Sequence, residues 1–401
     1  MKVWLLVIMI IVYGVSGLPA QAGEDKKFQQ WIAGLYLEAQ QQGINRGIWE
    51  TAFAGVTEPD PQVLARASYQ PEFTTEIWDY LDARVNPLSI GRGEEMKRSY
   101  AGTLNEVEKK FGVEKSVLLA IWSMESNYGA VLEKPDRLFY VPLALATLAY
   151  GDPKRQKFAR TQLIAALQIL QAGDVAKDQL TGSWAGAMGH TQFIPTSYLA
   201  YGVDMDGNGH RDIWNSIPDA LATAANLLHK NGWRPGKTWG YEVIAPPAAE
   251  QFVEQTKTLA EWQKLGFKRP GGKNYGDDAD SAVLKLLAGP QGPAFLMMKN
   301  FYMLKRYNNS DYYALAVGLL ADRLAGAGGV VGSWPRPPGS LDVEGKFLLQ
   351  QKLQEKGYYE GEIDGNLGDG TKAAIKLFQT QAGLPADGIP SQDLLQILRK
   401  K

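Results

Sequence analysis

The 401 residues are enough for two or three domains and a sizeable hydrophobic core. Hydrophobic residues make up 45% of the chain and charged residues 21%, a composition that excludes a fibrous, disordered or multi-span membrane protein. The formal net charge of −1 provides no broad basic field, so nucleic acid is not an expected partner.

The N-terminus has the pattern of a signal peptide. Lys2 precedes an apolar run over residues 3–15, and Ala20 and Ala22 are small residues at the two positions that a signal peptidase reads. The run is shorter than the roughly 20 residues that span a bilayer, so we expect cleavage after Ala22, with an uncleaved signal anchor as the alternative. Because the sequence contains no cysteine, it has no disulfide and no lipidated N-terminal cysteine, and we expect a soluble protein outside the cytoplasm.

The pattern that follows is mainly helical. Apolar residues at three- and four-residue spacing predict helices over residues 28–42, 74–85, 94–111, 116–127, 154–171 and 218–231. Residues 238–245 and 282–299 depart from this pattern. Within the second segment, two apolar runs flank a turn rich in glycine and proline, which predicts a strand pair and a small sheet inserted in a helical domain. A helix is predicted again over residues 311–324.

A stretch rich in glycine and proline separates the C-terminal part of the chain. Residues 326–340 cannot form the interior of a helix or a sheet, and we interpret them as a semi-rigid linker. The sequence therefore predicts a main domain over residues 23–325 and a separate unit over residues 341–401. Helices are predicted in that unit over residues 344–356, 371–382 and 391–398.

The absence of several motifs narrows the chemistry. The chain has no H-E-x-x-H, G-x-S-x-G or S-x-x-K motif, and its three histidines lack close metal-ligand spacing. The chain also has no cysteine to act as a nucleophile, so catalysis by a carboxyl group is the remaining class of chemistry. Glu125 continues the apolar stripe of Leu118 and Ile121 in the last turn of its predicted helix, with Gly129 as the expected stop. Burial and the helix C-terminus would both raise its pKa, as a general acid requires, although a paired structural glutamate is the alternative.

A glycine-rich segment over residues 182–195 is a second candidate. Gly182, Gly186 and Gly189 permit close approach of the backbone to a ligand, and Ser183 and Gln192 offer hydrogen bonds in a polar cleft. No Lys-Ser/Thr pair follows the glycines, which excludes a phosphate-binding loop. Tight helix packing around the glycines is the alternative interpretation.

Residues 204–212 resemble the start of a calcium loop. Oxygen-bearing side chains stand at positions one, three and five, Gly209 is at position six, and Asn215 replaces the usual glutamate at position twelve. We expect calcium or another hard cation here, with a metal-free turn as the alternative. The expected ligands, His210 through its carbonyl and the others through side chains, are Asp204, Asp206, Asn208, His210 and Asp219.

A third polar segment contains Tyr307, Asn308 and Tyr313 and leads into an apolar helix. Tyrosine rings stack on pyranose faces and amides bind hydroxyl groups, so this segment suits sugar recognition. By itself the segment is more typical of a helix start with ordinary core tyrosines.

Together these segments, in this order, resemble the B-type family of lytic murein transglycosylases in the lysozyme-like superfamily. The resemblance extends over roughly residues 28–325. Its motifs are YQPEF (69–73), IWSMESNYG (121–129), AGAMGHTQFIP (185–195), DIWN (212–215), YNNS (307–310) and YALAV (313–317).

This resemblance implies a mainly α (α+β) fold, with a lysozyme-like helical catalytic domain and a small β subdomain. It also implies cleavage of the β-1,4 bond between N-acetylmuramic acid and N-acetylglucosamine in peptidoglycan. Glu125 would protonate the leaving oxygen and then act as base toward the muramic O6 hydroxyl, giving a 1,6-anhydro end. No second carboxylate and no cofactor is required for this chemistry, and the calcium ion would be structural. The implied substrate-binding residues are Ser183, Met188, Gln192, Phe193, Tyr307, Asn308 and Tyr313.

The C-terminal unit resembles the three-helix peptidoglycan-binding module. Shared features include LQEKGYY (353–359), Asp364-Gly365, FQ (378–379) and GLPADG (383–388), whereas Asp369 replaces a common proline. The module would hold the enzyme on its polymer. We therefore predict a periplasmic enzyme acting on glycan strands, with other cell-wall enzymes as candidate partners. A lysozyme-type muramidase that hydrolyses the same bond, and a non-catalytic wall-binding protein, remain the alternatives.

Overall fold

A computed structural model describes residues 26–68 and 75–400 of the chain. The predicted signal peptide over residues 1–22 and the motif at residues 69–73 lie outside the described residues. None of the helices in the two described ranges combines the length and the apolar character needed to cross a bilayer.

Eleven α-helices build the first part of the described chain, and the longer ones follow the predicted apolar spacing. The segment predicted as one helix over residues 94–111 is two helices that meet at Tyr100, whose ψ of 26° departs from helical geometry. These helices are α1 (Lys26–Gln41), α2 (Arg46–Phe53), α3 (Pro61–Ser68), α4 (Ile77–Arg84), α5 (Pro87–Ser99), α6 (Ala101–Phe111), α7 (Lys115–Ser126), α8 (Val141–Gly151), α9 (Gln156–Ala172), α10 (Pro195–Tyr201) and α11 (Ile217–Lys230).

Of six further α-helices, the first lies within the β subdomain and the other five follow it. The predicted helix over residues 311–324 coincides with α14, which Ser310 caps by accepting a hydrogen bond from the backbone N–H of Tyr313. The six are α12 (Leu259–Lys264), α13 (Lys299–Tyr307), α14 (Asp311–Leu324), α15 (Val343–Glu355), α16 (Asp369–Ala382) and α17 (Gln392–Lys400).

The strands form two small antiparallel sheets. β1 (Phe139–Tyr140) pairs with β2 (Thr181–Gly182), and the larger sheet has the order β3-β6-β5-β4. The predicted strand pair is present, with Leu284 of β5 opposite Leu296 of β6. The larger sheet comprises β3 (Gly240–Val243), β4 (Thr256–Thr258), β5 (Ser281–Lys285) and β6 (Ala294–Met297).

Three main hydrophobic cores hold these elements. The largest joins most of the helices between α1 and α14 and includes Trp122, the largest of its fully buried side chains. Trp262 and Phe267 centre a separate core beneath the larger sheet. Leu349 and Phe378 belong to a third core, which is confined to residues 341–398 and is built from few large side chains, as a small unit requires.

Helix α7 is the central element of the largest core. Its residues from Val117 to Met124 are all buried, because apolar side chains cover the whole circumference rather than one stripe. A helix surrounded on all sides by packed neighbours has a fixed end. The last turn of α7 is therefore a rigid platform for the residues that follow.

Candidate active site

The last turn of α7 presents Glu125, and the chain then leaves the helix abruptly. Asn127 and Tyr128 both adopt left-handed backbone geometry, with φ of 51° and 57°. The expectation that Gly129 ends the helix was wrong by two residues, because Asn127 takes the left-handed capping position. Two consecutive non-glycine residues in this conformation are strained, a feature that clusters at functional sites.

His190 fixes the loop that faces the end of α7. Trp122 Nε1 donates a hydrogen bond to His190 Nδ1 at 3.2 Å, and Ser126 Oγ donates to the His190 carbonyl at 2.6 Å. Gly129 lies so close that a Cβ atom there would be 2.5 Å from His190 Cε1. Burial lowers the pKa of His190 to about 4, so the imidazole is neutral and structural near pH 7.

Glu125 is partly buried and has one hydroxyl partner. Tyr313 Oη, brought from α14, donates a hydrogen bond to Glu125 Oε1 at 2.5 Å. Burial raises the pKa of Glu125 to about 7, while the Tyr313 hydrogen bond and the positive charge of Arg84 oppose the rise. A carboxyl group with this pKa can give up a proton and take one back at neutral pH.

Two stacked tyrosines form one wall beside the acid. The rings of Tyr307 and Tyr313 are nearly parallel, with centroids 6.4 Å apart and an interplanar angle of 15°. Tyr307 Oη donates to the Thr191 carbonyl at 2.6 Å, which ties this wall to the glycine-rich loop. Asn308 follows directly at the end of α13 and is exposed. The structure thus brings Glu125 together with tyrosines almost two hundred positions away in the sequence.

The glycine-rich loop contributes polar groups and a buried support. Ser183 Oγ accepts a hydrogen bond from the Ala187 N–H at 3.0 Å, and Gln192 Nε2 donates to the Gly189 carbonyl at 2.9 Å; both side chains are partly exposed. Met188 is fully buried and Phe193 is 2% exposed. These two residues, which the sequence predicted to bind substrate, are therefore buried beneath the loop and support it by packing.

The glycines of this loop approach protein atoms rather than open cleft. A Cβ atom on Gly189 would lie 2.4 Å from the Ile213 carbonyl oxygen, and one on Gly186 would clash with Leu145. The expectation that these glycines make room for a ligand was wrong. The loop needs them in order to pack against neighbouring segments of the same protein.

Two residues of α4 also face the acid and were not predicted. The Arg84 guanidinium lies 5.3 Å from the ring centroid of Tyr80 and donates to the Met124 carbonyl at 3.3 Å. Its charge favours the ionised form of Glu125. No local pattern marks these residues, since α4 lies some forty positions before Glu125 and only tertiary packing joins them.

The predicted cation loop brings three carboxylates together. Oxygen atoms of Asp204, Asp206 and Asp219 lie within 4.8 Å of one another. Asp219 is held on α11, where its carboxylate accepts the backbone N–H groups of Met205 at 2.7 Å and Asp212 at 2.8 Å. Among the described residues, no basic side chain forms an ion pair with these three carboxylates. An all-oxygen, uncompensated acidic cluster fits a hard divalent cation.

The remaining loop residues have different surroundings. Asn208 Oδ1 accepts the backbone N–H of His210 at 2.8 Å, and both residues are exposed. Asn215, at the twelfth position, donates to Asp212 at 2.9 Å instead of facing the cluster. The loop also reaches the active site, because His190 N–H donates to the Ile213 carbonyl at 3.0 Å.

Comparison with known proteins identifies the family. Residues 27–322 match the transglycosylase SLT domain, which covers more than half of the chain. The chain belongs to this family. Residues 347–398 match a peptidoglycan binding domain. The family resemblance inferred from the motifs is confirmed, and so are the mainly helical fold and the C-terminal binding module.

Among curated relatives, this transglycosylase-family chain is 31% identical over 248 residues to membrane-bound lytic murein transglycosylase B of Escherichia coli (strain K12). The match covers 60% of this chain and 65% of the length of that relative. The C-terminal part is 42% identical over 52 residues to a spore cortex-lytic enzyme of Bacillus cereus, covering 13% of this chain and 20% of that enzyme.

Solved structures extend the likeness to almost the whole chain. SltB3 from Pseudomonas aeruginosa, in complex with NAG-anhNAM-pentapeptide, is 44% identical with a TM-score of 0.74, covering 93% of this chain and 99% of SltB3. Escherichia coli Slt35 in complex with calcium is 25% identical with a TM-score of 0.62, covering 75% of this family member and 93% of Slt35.

The raised pKa of Glu125 predicts a pH-dependent effect of its replacement on stability. The pKa is about 7 in the folded state, against an ordinary value of 4.5, so the folded state holds the proton more tightly and stability falls as pH rises between these values. Glu125→Gln removes the buried charge. We expect it to raise the free energy of unfolding by about 1–3 kcal/mol at pH 8 and to change it little at pH 4.5.

Urea unfolding at the two pH values measures this difference. Glu106→Gln, on the exposed face of α6, is the matched control and should show no such pH dependence. An equal effect of Glu125→Gln at pH 4.5 and pH 8 would contradict the assignment of a protonated, buried carboxyl group.

Proposed function

We propose that this chain is a peptidoglycan lytic transglycosylase in which Glu125 acts first as acid and then as base. The observation that carries the proposal is one partly buried carboxyl group, with its pKa raised to about 7, bonded to Tyr313. Among the described residues, no second carboxylate contributes to the charge environment of Glu125, whereas most glycosidases employ a pair. One group that both donates and accepts a proton suits an intramolecular reaction.

In the first step, the Glu125 carboxyl group protonates the glycosidic oxygen between N-acetylmuramic acid and N-acetylglucosamine. The bond from that oxygen to C1 of the muramic residue breaks, the N-acetylglucosamine leaves as an alcohol, and positive charge develops at C1. The resulting carboxylate is stabilised by the Tyr313 hydroxyl and by the charge of Arg84.

In the second step, the Glu125 carboxylate accepts the proton of the muramic C6 hydroxyl while O6 bonds to C1. The product carries a 1,6-anhydro ring, no water is consumed, and Glu125 is protonated again. The SltB3 complex with NAG-anhNAM-pentapeptide, a structural relative holding an anhydro sugar, supports this course of reaction.

The sugar-binding surface follows from the exposed groups around the acid. We assign direct contacts to the polar groups of Ser183, Gln192 and Asn308, and an aromatic wall to Tyr307 and Tyr313. The buried side chains assigned to support of the loop are Met188 and Phe193.

The domain organisation and location are proposed from the sequence together with these matches. We assign a signal peptide to residues 1–22, the catalytic domain to 23–325, a linker to 326–340 and the peptidoglycan-binding domain to 341–401. Export to the periplasm places the enzyme with its glycan substrate, and the motifs of the C-terminal module support binding to the same polymer.

The acidic cluster is proposed as a structural calcium site. Asp204, Asp206 and Asp219 would hold the ion, with Asn208 and the His210 carbonyl completing the ligand set. Slt35, a structural relative, has been solved in complex with calcium. A bound divalent ion would neutralise three clustered carboxylates and stiffen the segment that contacts His190.

The reaction products test the proposed chemistry. Digestion of purified sacculi by the wild-type chain should release muropeptides with 1,6-anhydro ends, which mass spectrometry separates from hydrolysis products by the mass of one water. Glu125→Gln should lower the rate by at least about 100-fold, because general acid–base catalysis contributes on that order. Reducing ends without anhydro sugars would instead indicate a muramidase, and undiminished digestion by Glu125→Gln would exclude this acid.

The pH dependence of the rate should report on the same carboxyl group. The first step needs the protonated acid, so activity should fall as pH rises above about 7, the pKa of Glu125. Tyr313→Phe removes a hydrogen bond that favours the ionised form, and should shift this alkaline limb to higher pH. Tyr312→Phe, at the neighbouring position, is the control. An unshifted limb in Tyr313→Phe would contradict the role of this hydrogen bond.

Thermal melts test the calcium site. Calcium should raise the Tm of the wild-type chain and a chelator should lower it. At a calcium concentration 100 times Kd, binding would add about 2.7 kcal/mol to the free energy of unfolding. Asp219→Asn should abolish the response, whereas Asp278→Asn, an exposed aspartate in the β subdomain, should preserve it. A wild-type Tm that ignores both calcium and chelator would argue against a stabilising cation.

A further inference from the structure

The linker over residues 326–340 is held along the main domain. The Glu242 carboxylate of β3 accepts the backbone N–H groups of Val331 at 2.8 Å and Gly332 at 2.6 Å. Trp334 stacks on Phe295 of β6, with centroids 6.3 Å apart and an interplanar angle of 26°. The composition of the linker predicts only a semi-rigid segment, whereas these contacts fix its path along the main domain.

After Trp334, Asp82 of α4 binds one residue of the linker and one residue of the C-terminal module. Arg336 binds Asp82 with two parallel hydrogen bonds of 2.8 and 2.6 Å, and Lys346 of α15 lies 2.7 Å from the same carboxylate. The side chains are 8%, 15% and 19% exposed for Asp82, Arg336 and Lys346, respectively. Bidentate pairs shielded from water are geometrically specific, unlike exposed ion pairs. We call these three residues the clasp.

The clasp lies on the helix that borders the catalytic acid. Asp79 and Asp82 of α4 face the module, where Lys346 also lies 3.4 Å from Asp79, while Tyr80 and Arg84 face Glu125. Eight helical residues span about 12 Å. The first helix of the module is therefore attached one short helix away from the active site.

We propose that the clasp holds the peptidoglycan-binding module in one orientation beside the catalytic cleft, so that a single glycan strand engages both. This inference rests on the proposed function. On a flexible linker, the binding surface of the module would sample many positions, and its effective concentration near the bound strand would be low. A module fixed in a matching orientation presents that surface at a high effective concentration. Asp82 is a positioning residue in this arrangement, and it acts only on substrates long enough to reach the module.

The first test measures the arrangement itself. Limited proteolysis should cut the wild-type chain slowly within residues 326–340, and small-angle scattering should give a single compact particle. Asp82→Asn, Arg336→Gln and Lys346→Gln should each speed this cleavage at least about five-fold and increase the radius of gyration. Lys352→Gln, which removes an ion pair within α15 that does not involve the main domain, is the matched control. Unchanged cleavage and scattering in all three clasp variants would overturn the proposal.

The second test compares a long and a short substrate. On sacculi, Asp82→Asn should raise KM roughly ten-fold with kcat unchanged. The substitution lowers the effective concentration of the module near the strand and leaves the catalytic groups in place. On a soluble glycan short enough to occupy the cleft alone, KM and kcat should both equal those of the wild type. Asp82→Glu retains the charge and should restore most of the loss on sacculi, while Lys352→Gln should be neutral on both substrates.

The outcomes separate this inference from the proposed function. Equal losses on both substrates would mean that Asp82 supports α4 and the cleft rather than the module, which would overturn the proposal. An unchanged KM on sacculi in a variant whose linker is freely cut would also overturn it. A wild-type chain without lytic activity on either substrate would refute the proposed function, while proteolysis and scattering would still decide whether the clasp fixes the module.

Discussion

The site depends on keeping one carboxyl group partly out of water at the end of a helix that cannot move. Burial raises the pKa of Glu125, and the Tyr313 hydroxyl prevents the carboxylate form from becoming prohibitively costly. Both conditions require that α7 and α14 keep a fixed spacing. Close packing around a helix that is buried on every side provides it, because a dense interior transmits displacement instead of absorbing it.

The surrounding loops extend this rigidity from the helix to the cleft. The neutral His190 ring joins the end of α7 to the glycine-rich loop, and Tyr307 ties the same loop to α13. On its far side, Gly189 packs against Ile213, which follows the acidic loop. A cation bound among the three carboxylates would therefore stiffen the glycine-rich loop through direct contacts, while taking no part in the proposed chemistry.

In the proposed function, helix α4 would connect catalysis with attachment to the polymer. Arg84 lies on the side that faces the acid and Asp82 on the side that faces the C-terminal module, an arrangement that the spacing of a helix permits within a single turn. An enzyme that acts on an insoluble polymer gains from such a connection, because the position of the attached strand is then set relative to the reacting bond.

The sequence by itself determined the features that depend on neighbouring residues. Local spacing predicted α14, the β5–β6 pair and the acidic loop, and the stripe through Glu125 indicated a buried acid. The tertiary structure alone decided the break at Tyr100, the three-residue strand β4 with its polar Thr-Lys-Thr sequence, the approach of Arg84 and the docking of Arg336 on the main domain. Apart from the break at Tyr100, these features join residues far apart in the chain, and periodicity records only which face of an element is buried, never which partner buries it.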